Sequence, residues 1–121
     1  YNLRNRRWGE FCVSIAGIVT NFIIAIDFAL IIRYADFLNL SESVIGLLLY
    51  IVFLNLTLGV FNLIPIPPLD GSKILYTLVP YRYERNLIVL EKYGFYFLII
   101  FIVFFGFIIN DVVNFLLHLL L

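Results

Sequence analysis

The sequence predicts an all-α, polytopic integral membrane protein. It reads as about three transmembrane helices, a proline-broken re-entrant segment and a C-terminal amphipathic helix, all in a single membrane domain over residues 1–121. Three observations predict this class. Of the 121 residues, 64% are hydrophobic and only 13% charged, whereas a soluble domain averages roughly 45–50% apolar and about 25% charged residues. Apolar runs over residues 11–32, 44–64 and 94–109 reach or approach the roughly 20 residues a helix needs to cross a bilayer core of about 30 Å. Finally, Pro65, Pro67 and Pro68 cluster where the second run ends, so the backbone must leave the helix at about membrane depth.

Composition also sets exclusions. Net charge is zero, so no basic field exists for nucleic acid. A single cysteine, Cys12, excludes an internal disulfide and a CxxC metal site, and a lone thiol near a helix start reads as packing. The chain has no methionine and begins at Tyr1, which leads us to expect that an N-terminal part is missing. Arg4, Arg6 and Arg7 precede an apolar run too long for a signal peptide, with no small-residue cleavage site after it.

The first helix is expected over residues 11–32, preceded by a basic segment in which Trp8 is an interfacial aromatic. Its 22 residues would extend about 33 Å. Ser14, Gly17 and Asn21 recur at i, i+3 and i+7 and form a small, polar face suited to close helix packing. Asp27 lies off that face. An intramembrane acid is a functional candidate, but Arg33 follows six residues later, and pairing or snorkelling at the membrane edge accounts for it.

A short polar connector over residues 33–43 leads to Ser41, an N-cap residue, and Glu42 in the first turn of the second helix, residues 44–64. Asn55, Gly59 and Asn62 recur at i, i+4 and i+7, a stripe that an interhelical hydrogen-bonding seam explains well for Asn55 and less well for Asn62. The prolines then break the helix, since each lacks an N–H and biases its predecessor toward extended geometry. Irregular backbone at membrane depth is tolerated where it is buried in protein or lines a wet cavity. The break delivers Asp70, expected as N-cap of a short helix over 71–79 ended by Pro80. Capping alone would explain an Asp there, and the positive end of the helix also favours a carboxylate, the form a metal binds.

Residues 81–93 read as a solvated connector or surface helix, followed by the third apolar run to residue 109. Asn110-Asp111 is expected to interrupt it, and the tail reads as an amphipathic helix with Asp111, Asn114 and His118 on one face. An interfacial helix explains that face better than a metal site. Of the eight basic residues, three lie near the N-terminus, one (Arg33) after the first helix, and four between Lys73 and Lys92. The positive-inside rule then places the N-terminus and the Asp70 side in the cytoplasm.

The segment Phe61-Asn62-Leu63-Ile64-Pro65-Ile66-Pro67-Pro68-Leu69-Asp70-Gly71 resembles the Asn-x-x-Pro-x-Pro-x-x-Leu-Asp-Gly signature of the site-2 protease family of intramembrane zinc metalloproteases. Upstream, Ala16-Gly17-Ile18-Val19-Thr20-Asn21 is similar to the family's Ala-Gly-Pro-x-x-Asn segment, with Ile18 where proline is usual. The short 33–43 connector resembles compact members without an inserted PDZ domain.

The resemblance implies that Asp70 is the third zinc ligand. It implies that Asn62 stands beside the metal to hold substrate or stabilise an oxyanion, that the prolines keep the segment extended, and that Asn21 packs the core. It also implies a protease of transmembrane-helix substrates in the bilayer, in which zinc activates water for attack on a locally unwound peptide bond. The family's other two ligands and its base belong to a His-Glu-x-x-His helix, with two histidines on one face. This chain has one histidine, His118, and none of Glu10, Glu42, Glu84 and Glu91 stands in such a motif. It therefore corresponds to the C-terminal part of the core, and alone it is expected to bind no catalytic zinc and to be inactive.

Two other classes remain open to the residues. A transporter or channel also builds ion sites from broken helices, but calls for a matching break in a second half, and Asn110-Asp111 lacks proline. A non-catalytic membrane subunit, or pseudoprotease, would lack the His/Glu set altogether.

Overall fold

The computed structural model describes residues 3–67 and 69–121, and their side chains apart from residues 3–7, 81 and 84; Pro68, counted above among the helix-breaking prolines, lies outside them. The described chain is helical, in the order α1 (Leu3–Arg33), α2 (Ala35–Leu38), α3 (Glu42–Asn62), α4 (Asp70–Leu78), a 3₁₀ turn (Tyr81–Tyr83) and α5 (Glu84–Leu120). Three of these helices are long and apolar enough to cross a membrane, over Trp8–Arg33, Glu42–Asn62 and Arg85–Leu120. Most of their large apolar side chains, such as Val13, Leu47, Val103 and Phe107, face outward, as a lipid-facing surface requires.

Helix α1 begins well before residue 11. Hydropathy marks the membrane-embedded part of a helix, whereas its first turns are held by good helix formers such as Arg and Leu with no proline among them. Trp8 is 61% exposed and stacks on Phe11 with ring centroids 5.3 Å apart. The connector folds into the single turn of α2. It is closed by Asn39 in the left-handed region at φ 56°, a conformation that asparagine tolerates better than most residues. Ser41 caps α3 as expected, its Oγ accepting the Val44 N–H at 3.3 Å.

Helices α1 and α3 are antiparallel neighbours, and α5 returns alongside α3. Their small residues set the spacing. Ala25 and Ala29 of α1 meet Val52 and Leu56 of α3 and Val113 of α5 in one buried cluster. Nearer the proline break the Phe22 ring lies over Gly59, where a Cβ would stand 2.8 Å from the ring. Gly59 therefore belongs to the packing of α1 on α3. Asn55 turns its amide back to the Ile51 carbonyl of its own helix, at 2.9 Å. The interhelical seam expected at Asn55 is thus replaced by an intrahelical bond, which an amide can make with the carbonyl four residues earlier.

The C-terminal interruption expected at Asn110-Asp111 is absent, because α5 continues through both residues for 37 residues in all. Neither residue obstructs the helical hydrogen-bond ladder, which only proline does outright. At about 55 Å the helix exceeds the bilayer core, which leaves its charged first turns, with Arg85, Glu91 and Lys92, free to lie outside the hydrocarbon. Asp27 and Arg33 are both exposed and form no ion pair with each other, so of the two roles expected for Asp27, pairing and snorkelling, the pairing is not formed.

Candidate functional site

The site is built where α3 ends. The last turn of α3 tightens, with Leu63 N–H donating to Val60 O at 3.1 Å and Ile64 N–H to Phe61 O at 3.2 Å. This i to i−3 pattern is a common way to satisfy the carbonyls at a helix end. Beyond it, the Leu69 N–H reaches back to Ile66 O at 3.0 Å and closes the proline segment into a turn. Ile64 and Leu69 are buried against Leu98 of α5, flanked by Phe61, Ile66 and Phe101. The irregular backbone is therefore enclosed by protein on that side, which its depth demands.

Two glycines make the enclosure possible. A Cβ on Gly94 of α5 would stand 2.7 Å from the Pro67 ring and carbonyl, so the glycine lets α5 close over the proline. A Cβ on Gly71 would overlap the carbonyls of Leu63 and Ile64. Gly71 lets α4 start directly on the end of α3, which gives the glycine after Asp70 a packing reason.

Asp70 was expected to cap α4, and here the structure differs. Leu69 is the N-cap residue, with extended backbone at φ −75° and ψ 155°, and no side chain caps the helix. Asp70 is instead the first helical residue. The cause is local: the Leu69 carbonyl already accepts both the Ser72 N–H, at 3.1 Å, and the Ser72 hydroxyl, at 2.7 Å. Helix α4 starts one residue earlier than its sequence suggested, and the half-buried Asp70 carboxylate is left uncommitted to any described hydrogen bond or ion pair.

The carboxylate faces α1. Asp70 Oδ2 lies 4.0 Å from the place a Cβ on Gly17 would occupy, and Gly17 is exposed, so the acid borders an open notch in α1. Ala16 and Thr20 beside it are exposed as well, with the Thr20 hydroxyl turned back to Ala16 O at 2.6 Å. Ser14, on the same face by its spacing, is instead buried, with its Oγ unpartnered, and Asn21 is half-buried. Asn62, the last residue of α3, is half-buried with no described side-chain hydrogen bond. Asn62 and Asp70 thus stand at the two ends of the break, one closing α3 and the other opening α4.

A catalytic zinc takes about three protein ligands and keeps one position open. Among the described residues no group of three or more His, Cys, Asp or Glu side chains is placed to hold a metal. Asp70 and its described neighbours do not fit such an ion by themselves. His118 lies in the last turn of α5, where Leu117 and Leu120 pack on the Ala25–Ala29 cluster rather than on the break. The Gly94–Pro67 contact was missed at the sequence level. Its one signal was a glycine at the start of an apolar run of large side chains.

The chain matches the family model for peptidase family M50 over residues 32–106, which covers α3, the break, α4 and much of α5. It is 40% identical to YwhC of Bacillus subtilis, a protein whose name assigns it provisionally to the zinc metalloproteases; the match covers 74% of this chain and 44% of that protein. It is 39% identical to the zinc metalloprotease MJ0392 of Methanocaldococcus jannaschii, over 62% of this chain and 21% of that protein. The chain spans less than half the length of these relatives. No solved structure matches it significantly.

Proposed function

The chain belongs to peptidase family M50, the site-2 protease family, and from that premise we propose that it forms part of an intramembrane zinc metalloprotease to which it supplies Asp70 as one zinc ligand. The observation that carries this reading is the Asp70 carboxylate itself. It is held at a helix break, spends nothing on capping, and borders an exposed glycine of α1. Capping by the side chain is absent, although the acid still sits in the favourable first turn of α4, and the geometry leaves its oxygens available for an external partner.

The remaining ligands and the general base come, on this reading, from a His-Glu-x-x-His helix outside these 121 residues, seated on the Ala16-Gly17-Thr20 surface of α1. The substrate is a transmembrane helix of another membrane protein. Its scissile bond must be locally unwound, because a helical peptide bond is hydrogen-bonded and sterically shielded. Asn62 offers an uncommitted amide to that unwound backbone. Pro65 and Pro67 lack N–H groups and keep the break from reverting to helix.

The N-terminal end of α1, helix α4, the 3₁₀ turn and the start of α5 share one end of the bundle, and seven of the eight basic residues fall in these segments. The positive-inside rule supports a cytoplasmic location for that end, so that water reaches Asp70 from the cytoplasm.

Purification of the 121-residue chain alone tests the division of ligands. It should carry no stoichiometric zinc and cleave no transmembrane substrate, while the longer protein does both. Zinc-dependent cleavage by the 121 residues alone would overturn the proposal, and an upstream helix without His-Glu-x-x-His would mark a pseudoprotease.

A further inference from the structure

We propose that the outer face of the first turns of α5 binds the headgroup of an anionic phospholipid, with Arg85 and Lys92 as its two cationic contacts. The inference goes beyond the protease reading and does not depend on it. It follows from how the start of α5 divides its charges between two faces.

Residues three, four and seven apart share a helix face. Leu87, Gly94 and Leu98 are buried and mark the inner face, where Gly94 receives Pro67. Glu91 belongs to the same face and lines a cavity between α1, α4 and α5 together with Glu10, Tyr76 and Phe95. Glu84, seven residues earlier, shares that face by spacing. Arg85, Ile88, Val89, Lys92 and Tyr96 fall on the opposite face, and all five are exposed. The acids are thus on the inner face and the cations on the outer one. Ile88 and Val89, 59% and 54% exposed, stand between the two cations, a basic and apolar stripe of the kind that lies at a membrane surface.

Depth places the stripe at the headgroup level. Glu10 of α1 and Glu91 and Phe95 of α5 line one cavity. Trp8, about 3 Å along α1 from Glu10, is therefore level with the turn that holds Lys92 and Tyr93. Trp8, Tyr93 and Tyr96 are all exposed, a set of aromatics at similar depth such as marks the membrane–water interface. Lys92 stands at that level with its Nζ 5.5 Å from the centre of the Tyr93 ring, and Arg85 stands about 10 Å further out along the axis.

The charge selects an anion. From Lys73 to Tyr93 the chain carries four basic residues against Glu84 and Glu91, a net +2 however they pair. Arg85 and Lys92 form no ion pair among the described residues. Their long side chains can lean toward each other over Ile88 and Val89 and meet one phosphate group. Beyond Tyr96 the same face continues as Ile99, Ile100 and Val103, all exposed, an apolar track for acyl chains. That continuity identifies a lipid rather than a free phosphate.

The test uses the complete protein with a photoreactive residue in place of Val89, reconstituted in vesicles of equal parts phosphatidylglycerol and phosphatidylcholine. Labelling should favour phosphatidylglycerol by about 25-fold, roughly fivefold for each basic residue near the surface. Arg85→Gln and Lys92→Gln should each lower the preference about fivefold, and the two together should remove it. Equal labelling of the two lipids, a preference that survives the double substitution, or labelling of protein alone would overturn the site.

Two controls separate a site from a diffuse field and from a site for free phosphate. Arg82→Gln removes the same charge from the adjoining 3₁₀ turn, where the guanidinium lies 4.8 Å over the Tyr83 ring, and should leave the preference nearly unchanged. A loss equal to that of Lys92→Gln would show a diffuse field and overturn the site. Excess inorganic phosphate at constant ionic strength should not reduce the labelling of phosphatidylglycerol; displacement by phosphate alone would overturn the assignment to a lipid.

Discussion

At the scale of single residues, three side-chain identities around the break carry most of the account. Asp70 is valuable because it is idle: the first turn of α4 is organised by Leu69 and Ser72, so the acid is spared for another partner. Gly71 is fixed by the carbonyls of Leu63 and Ile64. Gly71→Ala should destabilise the fold by about 1–3 kcal/mol, the usual cost of overpacking a tight contact, as read by thermal unfolding in detergent. Gly17, whose added Cβ would meet only the Asp70 carboxylate, 4.0 Å away, should accept alanine with little loss of stability.

Tyr76 allows a pH prediction with a definite sign. Its pKa is raised in the folded chain, first by burial and then by Glu91. The stability it contributes is therefore complete below the ordinary tyrosine range and is lost as pH rises through the raised value. Tyr76→Phe should blunt the alkaline loss of stability and change little at neutral pH, as measured by unfolding scans across the alkaline range.

At the scale of elements, the helices differ in how plainly their sequences announce them. Helix α3 was read nearly to its ends, because a Ser cap opens it and prolines close it. Helix α1 runs eight residues further toward the N-terminus than its apolar run (Leu3 against residue 11), since hydrophobicity reports the solvent around a helix rather than its hydrogen bonds. Helix α5 shows the same error at both ends. The charged residues near Arg85 and Lys92 and the pair Asn110-Asp111 looked like boundaries, yet the backbone passes through them.

Continuity of α5 can be tested directly. Asn110→Pro should cost about 3 kcal/mol or more, as proline does within a helix; near-neutral stability would indicate a break there after all. An unbroken α5 also weighs against a transporter, which calls for a second interrupted helix, because the described residues contain one such interruption.

At the scale of the whole molecule, the class and the pivotal segment were legible from hydropathy and proline placement alone. The packing that positions the segment was hidden, because it depends on pairs far apart in the chain: Phe22 with Gly59, Pro67 with Gly94, and Gly17 with Asp70. Each glycine was visible as a residue and silent about its partner. The cavity between Glu10, Tyr76 and Glu91 was hidden for the same reason, since those residues come from three helices.

The assembled picture is of three membrane-length helices that hold a broken segment in place and leave one acid facing a notch in α1. On the proposed reading Asp70 is one ligand of a zinc ion whose other protein ligands come from another helix. The most direct test is the metal content of the complete protein, measured by atomic spectrometry after gel filtration, for the wild type and Asp70→Ala with Asp111→Ala as control. About one zinc per chain is expected in the wild type and in Asp111→Ala. Almost none is expected in Asp70→Ala, with helical content unchanged, a loss greater than the roughly 10- to 100-fold in affinity that removing an outer-shell partner costs. Full zinc occupancy and undiminished cleavage in Asp70→Ala would contradict that reading.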